Sequence, residues 1–281
     1  MVPFGFFNIV LNMIIELPAF FNNPTLIELG PLKIQYYAVT WLLSALFINL
    51  YLKKNKIMNE IGLNKEDVDD MVFIYGLFLG AMCGGRIGYM LFYGLDQLLD
   101  NPLSLFYIWE GGLSFHGGLM GVVISLIIYC KQKSIEFLKL MDGVALGMPI
   151  GLGLVRIGNF LNGELYGRLT NGNWGFIFQT DPFGALRHPS QLYESFGEGL
   201  ILFGILLFIS TKTKIKGIVC SSFLIFYGLI RFLIEFYRQP DAHMGLIGFD
   251  TISMGQILCI PMILIGFILF IYARKTHESI Y

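Results

Sequence analysis

The stretch VRIGNFLNGELYG, Val155 to Gly167, puts Arg156, Asn159, Asn162 and Glu164 directly after the apolar run GVALGMPIGLGL. A second polar set, Tyr227, Arg231 and Glu235, recurs at i, i+4 inside another apolar run and so shares one helix face. His116 lies in SFHGG and Arg86 in GRIGYM, each near one end of an apolar segment. An arginine at bilayer mid-depth costs on the order of 3 kcal/mol on insertion scales, so such residues need a partner or a task. A guanidinium fork suits bidentate capture of a phosphate. A neutral imidazole beside it is suited to act as a general base. Glu235, one turn from Arg231, is one partner for the cations, and Glu164 is a second candidate. The competing reading is structural: interhelical ion pairs for the arginines and a satisfied hydrogen-bonding histidine for His116.

Other chemistries find no support. The chain has no HExxH pattern or similar cluster, so no metal site is expected. It has no GxSxG elbow. Ser114, two residues before His116, reads as a helix cap rather than a nucleophile. No lysine falls inside a predicted span, which removes a Schiff-base role. Cys83, Cys130, Cys220 and Cys259 form no CxxC pair and sit in or beside apolar runs, as small buried hydrophobes do.

The elements that must position these groups are transmembrane helices. Charged residues make up 14% of the 281 and hydrophobic ones 55%, with a mean hydropathy of +0.66. Soluble domains carry about 25% charged residues, so this balance indicates a multi-span helical membrane protein. A formal net charge of −1 gives no support for nucleic-acid binding. Apolar runs predict seven spans, at 36–52, 70–92, 113–130, 140–160, 192–210, 217–236 and 254–273. The connections KKNKIMNEIGLNKED, KQKSIEFLK and TKTKIK and the tail RK hold twelve of the nineteen Lys and Arg residues. The positive-inside rule makes that side cytoplasmic, with the N-terminus outside and the C-terminus inside. Tyr37, Arg86, His116, Arg156, Asn159, Asn162, Tyr227, Arg231 and Glu235 then all fall near the outer boundary. A phosphate at that depth is a phospholipid headgroup.

The whole chain, 1–281, reads as a single membrane domain. Residues 1–20 carry Asn8, Asn12 and Glu16 at four-residue spacing, which predicts an interfacial helix; an eighth span is the alternative. Residues 161–191, rich in turn signals, read as a small external cap between spans four and five. Glycines recur every four residues at Gly80, Gly84, Gly88 and at Gly143, Gly147, Gly151, which predicts close helix approach.

The segment RIGNFLNGELYG resembles the signature of the prolipoprotein diacylglyceryl transferases of bacterial membranes. GGLSFHGGLMG (111–121), RHPSQLYE (187–194), YGLIRFLIEFYRQPD (227–241) and IQYYAVTW near the first span are similar to the family's other blocks, in the same order. The similarity covers residues 25–273; the apolar stretch 1–20 stands outside it. The resemblance implies seven spans in the bacterial cytoplasmic (inner) membrane and an active site toward the outer face. It implies transfer of the diacylglyceryl group of phosphatidylglycerol to the lipobox cysteine of a prolipoprotein signal peptide, the first step of lipoprotein maturation. A thioether forms and glycerol phosphate leaves, with no metal or organic cofactor.

On that reading Arg156 and Arg231 hold the phosphate, Glu235 orients Arg231, and His116 accepts the thiol proton. Asn159 and Asn162 position the headgroup, Tyr37 or Tyr227 adds a hydroxyl donor, and Gly167 belongs to the substrate-binding set. Glu164 is either the rival base or a ligand for headgroup hydroxyls. An anion or lipid transporter is the alternative of a different class. Polar groups clustered at one side and the lack of an internal repeat count against it. Intramembrane proteolysis is a third option, for which the sequence offers no convincing nucleophile pair.

Overall fold

The computed structural model describes residues 13–16, 25–29, 32–172, 174–240, 246–247 and 252–278. Among the described residues the chain is mostly helical, with seven apolar helices: α1 (Tyr36–Leu52), α2 (Lys65–Phe92), α3 (Phe115–Lys133), α4 (Phe137–Leu161), α5 (Ser190–Lys212), α6 (Ile218–Ile234) and α7 (Met254–Glu278). Five of them are at least 18 residues long and apolar enough to cross a membrane, whereas α1 and α6 have 17 residues each. Helix α2 is π-wound from Asp70 to Gly84, and α5 from Ser195 to Ile201. Large apolar side chains point outward along these helices, among them Leu42, Leu200, Phe208 and Ile268, each more than 60% exposed. A surface of that kind is stable only against lipid or a partner. The protein is therefore a multi-pass helical membrane protein.

The helices are not the whole fold. Seven short strands occur among the described residues: β1 (Met13–Glu16), β2 (Thr25–Leu29), β3 (Leu32–Gln35), β4 (Trp174–Ile177), β5 (Leu186–Arg187), β6 (Leu246–Ile247) and β7 (Ile252–Ser253). They make a three-stranded sheet in the order β1-β4-β5 and two hairpins, β2-β3 and β6-β7. The all-α expectation is corrected to that extent. The interfacial helix expected over 1–20 is corrected at Met13–Glu16, which pair in parallel with Trp174–Ile177. Two adjacent β-branched residues, Ile14 and Ile15, favour that extended pairing over a helix. Residues 1–12 and 17–20, with Asn8 and Asn12, lie outside the described residues.

The chain divides into two compact units, residues 45–144 and residues 1–44 with 145–281. In the first, α2 and α3 meet along a glycine seam. A Cβ on Gly84 would lie 2.7 Å from the Gly121 Cα, and one on Gly88 would lie 2.6 Å from the Gly117 Cα. The backbones touch there, as the spacing of Gly80, Gly84 and Gly88 predicts. Gly143 faces the Met58 side chain instead of another backbone. A core of Leu52, Met58, Leu63, Val68, Met71, Leu126, Tyr129 and Leu140 closes one end of this unit. Its polar rim includes the Lys53–Asp69 pair at 2.5 Å and a capping box between Asn64 and Asp67.

In the second unit α6 packs along α7, with the ideal Cβ of Gly228 2.5 Å from Ile263. The segment between α4 and α5 folds around Phe160, Phe176 and Phe178, whose rings meet edge-on or tilted.

Candidate active site

Close packing of α4 on α5 sets the position of the first arginine. A Cβ on Gly199 would lie 2.9 Å from the Gly153 Cα, and Ser195 Oγ donates to the Gly153 carbonyl at 2.9 Å. Arg156, one turn beyond Gly153, is thereby laid against α5. Helix α6 supplies Arg231 and, at its C-cap, Glu235.

Two carboxylates of α5 bridge the two arginines. Glu194 places Oε2 2.8 Å from Arg156 Nε and Oε1 against Arg231 Nη1. Glu198 repeats the arrangement one turn on, with Oε2 3.7 Å from Arg156 Nε and Oε1 3.2 Å from Arg231 Nη1. Both glutamates are fully buried. Arg231 Nη2 then reaches Glu235 Oε2 at 2.9 Å, and Glu235 Oε1 meets Arg238 Nη1 at 3.3 Å and the Ser253 hydroxyl at 3.0 Å. Tyr227, stacked on Phe223, stands within electrostatic reach of Glu198, Arg231 and Arg156. An ion cluster so enclosed is costly to assemble unless each charge is met; here each carboxylate faces a guanidinium, while Glu194 Oε2, Glu198 Oε2 and Glu235 Oε2 accept no hydrogen bond among the described residues.

The polar row of α4 continues from this cluster. Arg156 Nη1 donates to Asn159 Oδ1 at 3.4 Å, and Asn159 Nδ2 donates to Glu164 Oε1 at 2.8 Å. Glu164 is thus held by an amide, not by an arginine. Asn162 is buried, and its Oδ1 has no partner among the described residues. Glu164 also lines a cleft of about 360 Å³ with Gly163, Leu165, Tyr166, Thr180, Arg238, Gln239 and Pro240. Gly167 has no room for a side chain: a Cβ would meet the His188 carbonyl at 2.5 Å and the Tyr237 carbonyl at 2.6 Å. Its task in the structure is to let three backbones meet, and its N–H donates to the His188 carbonyl at 2.8 Å.

Tyr37 packs edge-on against Trp41 at the start of α1. Arg86 and His116 belong to the unit formed by residues 45–144. Arg86 is buried and donates to four carbonyls: Ser104 at 2.5 Å, Gly111 at 2.5 Å, Leu105 at 3.2 Å and Gly112 at 3.3 Å. It clamps the loop before α3, so its partners are backbone carbonyls. His116 is exposed in the first turn of α3, edge-on to Phe115, while Ser114 caps that helix through Gly117 N–H at 3.3 Å.

Beside the cleft, Arg187 grips Asp181 bidentately at 2.6 and 3.0 Å and lies over the Tyr166 ring at 4.7 Å. The Arg187 hydrogen bonds hold the Asp181 carboxyl below its usual range. Burial pushes the His188 imidazole down and the Tyr166 phenol up.

Glu194 and Glu198 are the residues that sequence reasoning passed over. The signal was present: two carboxylates four residues apart in LYESFGEGLI, inside a predicted span. A carboxylate inside a span is a functional candidate by default, as the arginines were. Among the described residues no cluster of three or more His, Cys, Asp or Glu side chains is arranged to hold a metal ion.

Fold and site together define a multi-pass membrane protein with a buried arginine–carboxylate cluster. The sequence model of the family described as Prolipoprotein diacylglyceryl transferase matches residues 24–272. A phosphatidylglycerol--prolipoprotein diacylglyceryl transferase of Photobacterium profundum is 46% identical over 92% of this chain and 95% of its own length. Proteins of the same name from Geobacter sulfurreducens and Acinetobacter baumannii are 45% and 46% identical, over 87% and 91% of this chain and 92% and 95% of their own lengths. The chain belongs to the prolipoprotein diacylglyceryl transferase family.

Proposed function

We propose that this protein transfers the diacylglyceryl group of phosphatidylglycerol to the lipobox cysteine of prolipoprotein signal peptides, in the first step of bacterial lipoprotein maturation. The observation that carries this reading is the pair of arginines held side by side by Glu194 and Glu198 within apolar helices. The family and the names of its relatives support the substrates. The chain acts as one membrane domain in the bacterial inner membrane. All seven apolar helices cross, α1 and α6 being within the length a span needs. The N-terminus lies outside and the C-terminus in the cytoplasm. Residues 161–191 form the outer cap, and the site opens toward the outer face.

In the reaction the acceptor thiol loses its proton and sulfur attacks the glyceryl CH2 that carries the phosphate. The C–O bond breaks, a C–S thioether forms, and the electron pair leaves on glycerol phosphate. Arg156 and Arg231 hold the phosphate and meet the charge that grows on it; fixed guanidinium groups do this without reorganising. Positive charge near the acceptor sulfur also favours the thiolate over a thiol of pKa about 8.5. Glu235 orients Arg231. Asn159 and Asn162 position the headgroup, with Tyr37 or Tyr227 as hydroxyl donor and Gly167 keeping the adjoining backbone tight. His116 accepts the thiol proton; Glu164 is the rival base or binds headgroup hydroxyls. No cofactor takes part.

The test is a reconstituted enzyme with phosphatidylglycerol labelled in its diacylglycerol part and a lipobox peptide as acceptor. The reading expects the peptide to gain one diacylglyceryl mass, and a Cys→Ser peptide to gain none. Label crossing the vesicle wall with no adduct would make the protein a transporter instead.

A further inference from the structure

Among the described residues, the arginine pair that is to hold a phosphate is already matched by carboxylates. In the ion pairs of this cluster among those residues Arg156, Arg231 and Arg238 meet Glu194, Glu198 and Glu235, three cations against three anions. Glu194 and Glu198 take Arg156 at Nε and Arg231 at Nη1, the inner edges of both forks. Their side chains are fully buried, so water offers them no screening. A phosphodiester carries one negative charge, and adding it would leave an enclosed cluster with an unmatched anion. Such a charge is costly, and a protein avoids it by neutralising a group.

We infer that the lipid phosphate enters this cluster together with one proton, which Glu198 takes, and that Glu194 stays ionised as the bridge between the arginines. Glu198 is the member more weakly engaged: its contacts with Arg156 and Arg231 are 3.7 and 3.2 Å, against 2.8 Å for Glu194 on Arg156. The charged and titratable groups within electrostatic reach of it are Arg156 from α4, Arg231 and Tyr227 from α6, Cys259 from α7 and Glu194 on its own helix. Of these, Tyr227 and Cys259 are neutral and the arginines are permanently charged, which leaves the carboxylates as the proton acceptors. Protonated Glu198 then releases the Arg231 Nη1 N–H that it accepts at 3.2 Å for a phosphate oxygen, while Glu194 keeps its hold on Arg156 Nε. Glu198 is in this sense a positioning residue, acting on the lipid through the arginines. The inference rests on the phosphatidylglycerol reading of the site.

Calorimetric titration of the full chain in detergent micelles with short-chain phosphatidylglycerol, in buffers of different ionisation enthalpy, tests it. The expected result is uptake of about one proton per lipid bound near pH 7.5, and affinity that weakens about tenfold per unit as pH rises. Glu198→Gln keeps the side-chain shape and carries no charge. It is expected to bind the lipid with no proton uptake, with an affinity that no longer changes with pH. His116→Gln is expected to keep the wild-type uptake. Binding by the wild-type protein without proton uptake would overturn the inference and leave the phosphatidylglycerol reading standing. Uptake that survives in Glu198→Gln, or disappears in His116→Gln, would overturn the choice of Glu198. No lipid binding at any pH would remove both the inference and the reading it rests on.

Discussion

At Glu194 one carboxylate spans two guanidinium groups, an oxygen to each, and so fixes the distance between Arg156 and Arg231. The planar fork is needed for that: Nε of Arg156 faces the glutamates while Nη1 turns to Asn159. A lysine offers one point charge and cannot do both. Arg156→Lys is therefore expected to lower diacylglyceryl transfer by about 100-fold or more, measured as initial rate of peptide modification. A rate within a few-fold of wild type would remove the bidentate role. Asp181 makes a separate prediction about stability. Its folded pKa is depressed by Arg187, so the pair stabilises above the unfolded carboxyl value, about 3.9, and the effect is lost as pH falls through the folded value. Between pH 5 and pH 3 the melting temperature of the wild type is expected to fall more steeply than that of Asp181→Asn. Parallel curves would mean the bridge contributes nothing to the cap. Arg156, Arg231 and their motif were legible in the sequence because cations stand out in an apolar run. Glu194 and Glu198 were legible only as charges inside a predicted span; their partners were not, because nothing in a single sequence says which carboxylate faces which arginine across helices.

The helices were the most legible elements. The expected spans at 36–52 and 254–273 fall on α1 and within α7, and the others match their helices to within a few residues at most ends. Apolar length decides them, and length is readable. The short strands were not readable, since β1 pairs with β4 more than 150 residues away and a four-residue segment carries no periodicity of its own. The glycine seam lies between these cases: its spacing announced a contact, and the structure supplied the partner on α3. A Cβ on Gly121 would lie 2.8 Å from the Gly84 Cα, so Gly121→Val must force the backbones apart. A loss of about 1–3 kcal/mol is expected, read as a lower unfolding temperature in detergent. Gly204, on α5, has nothing within 4 Å of its ideal Cβ, so Gly204→Ala is expected to leave that temperature unchanged or raise it. Equal effects from both changes would mean the seam is not a backbone contact.

Over the whole molecule, the proposed function requires the site to face the leaflet where prolipoproteins emerge. Phe183, in the segment between α4 and α5, is 80% exposed, and Lys214, between α5 and α6, is also exposed. A membrane-impermeant thiol reagent is expected to label Phe183→Cys in intact cells and Lys214→Cys only after permeabilisation. Cys130, Cys220 and Cys259 are buried and Cys83 half-buried, so the background is low. The reverse pattern would invert the topology. In the proposed function the buried arginine–carboxylate cluster drives exchange of a C–O bond for a C–S bond. Its most direct measurement is the ratio of glycerol phosphate released to thioether formed, in one reconstituted preparation, for the wild type and Arg231→Lys. Equal amounts of the two products are expected in the wild type, and a fall of both together, about 100-fold or more, in the variant. Thioether without glycerol phosphate, or an unchanged rate in Arg231→Lys, would contradict the proposed function.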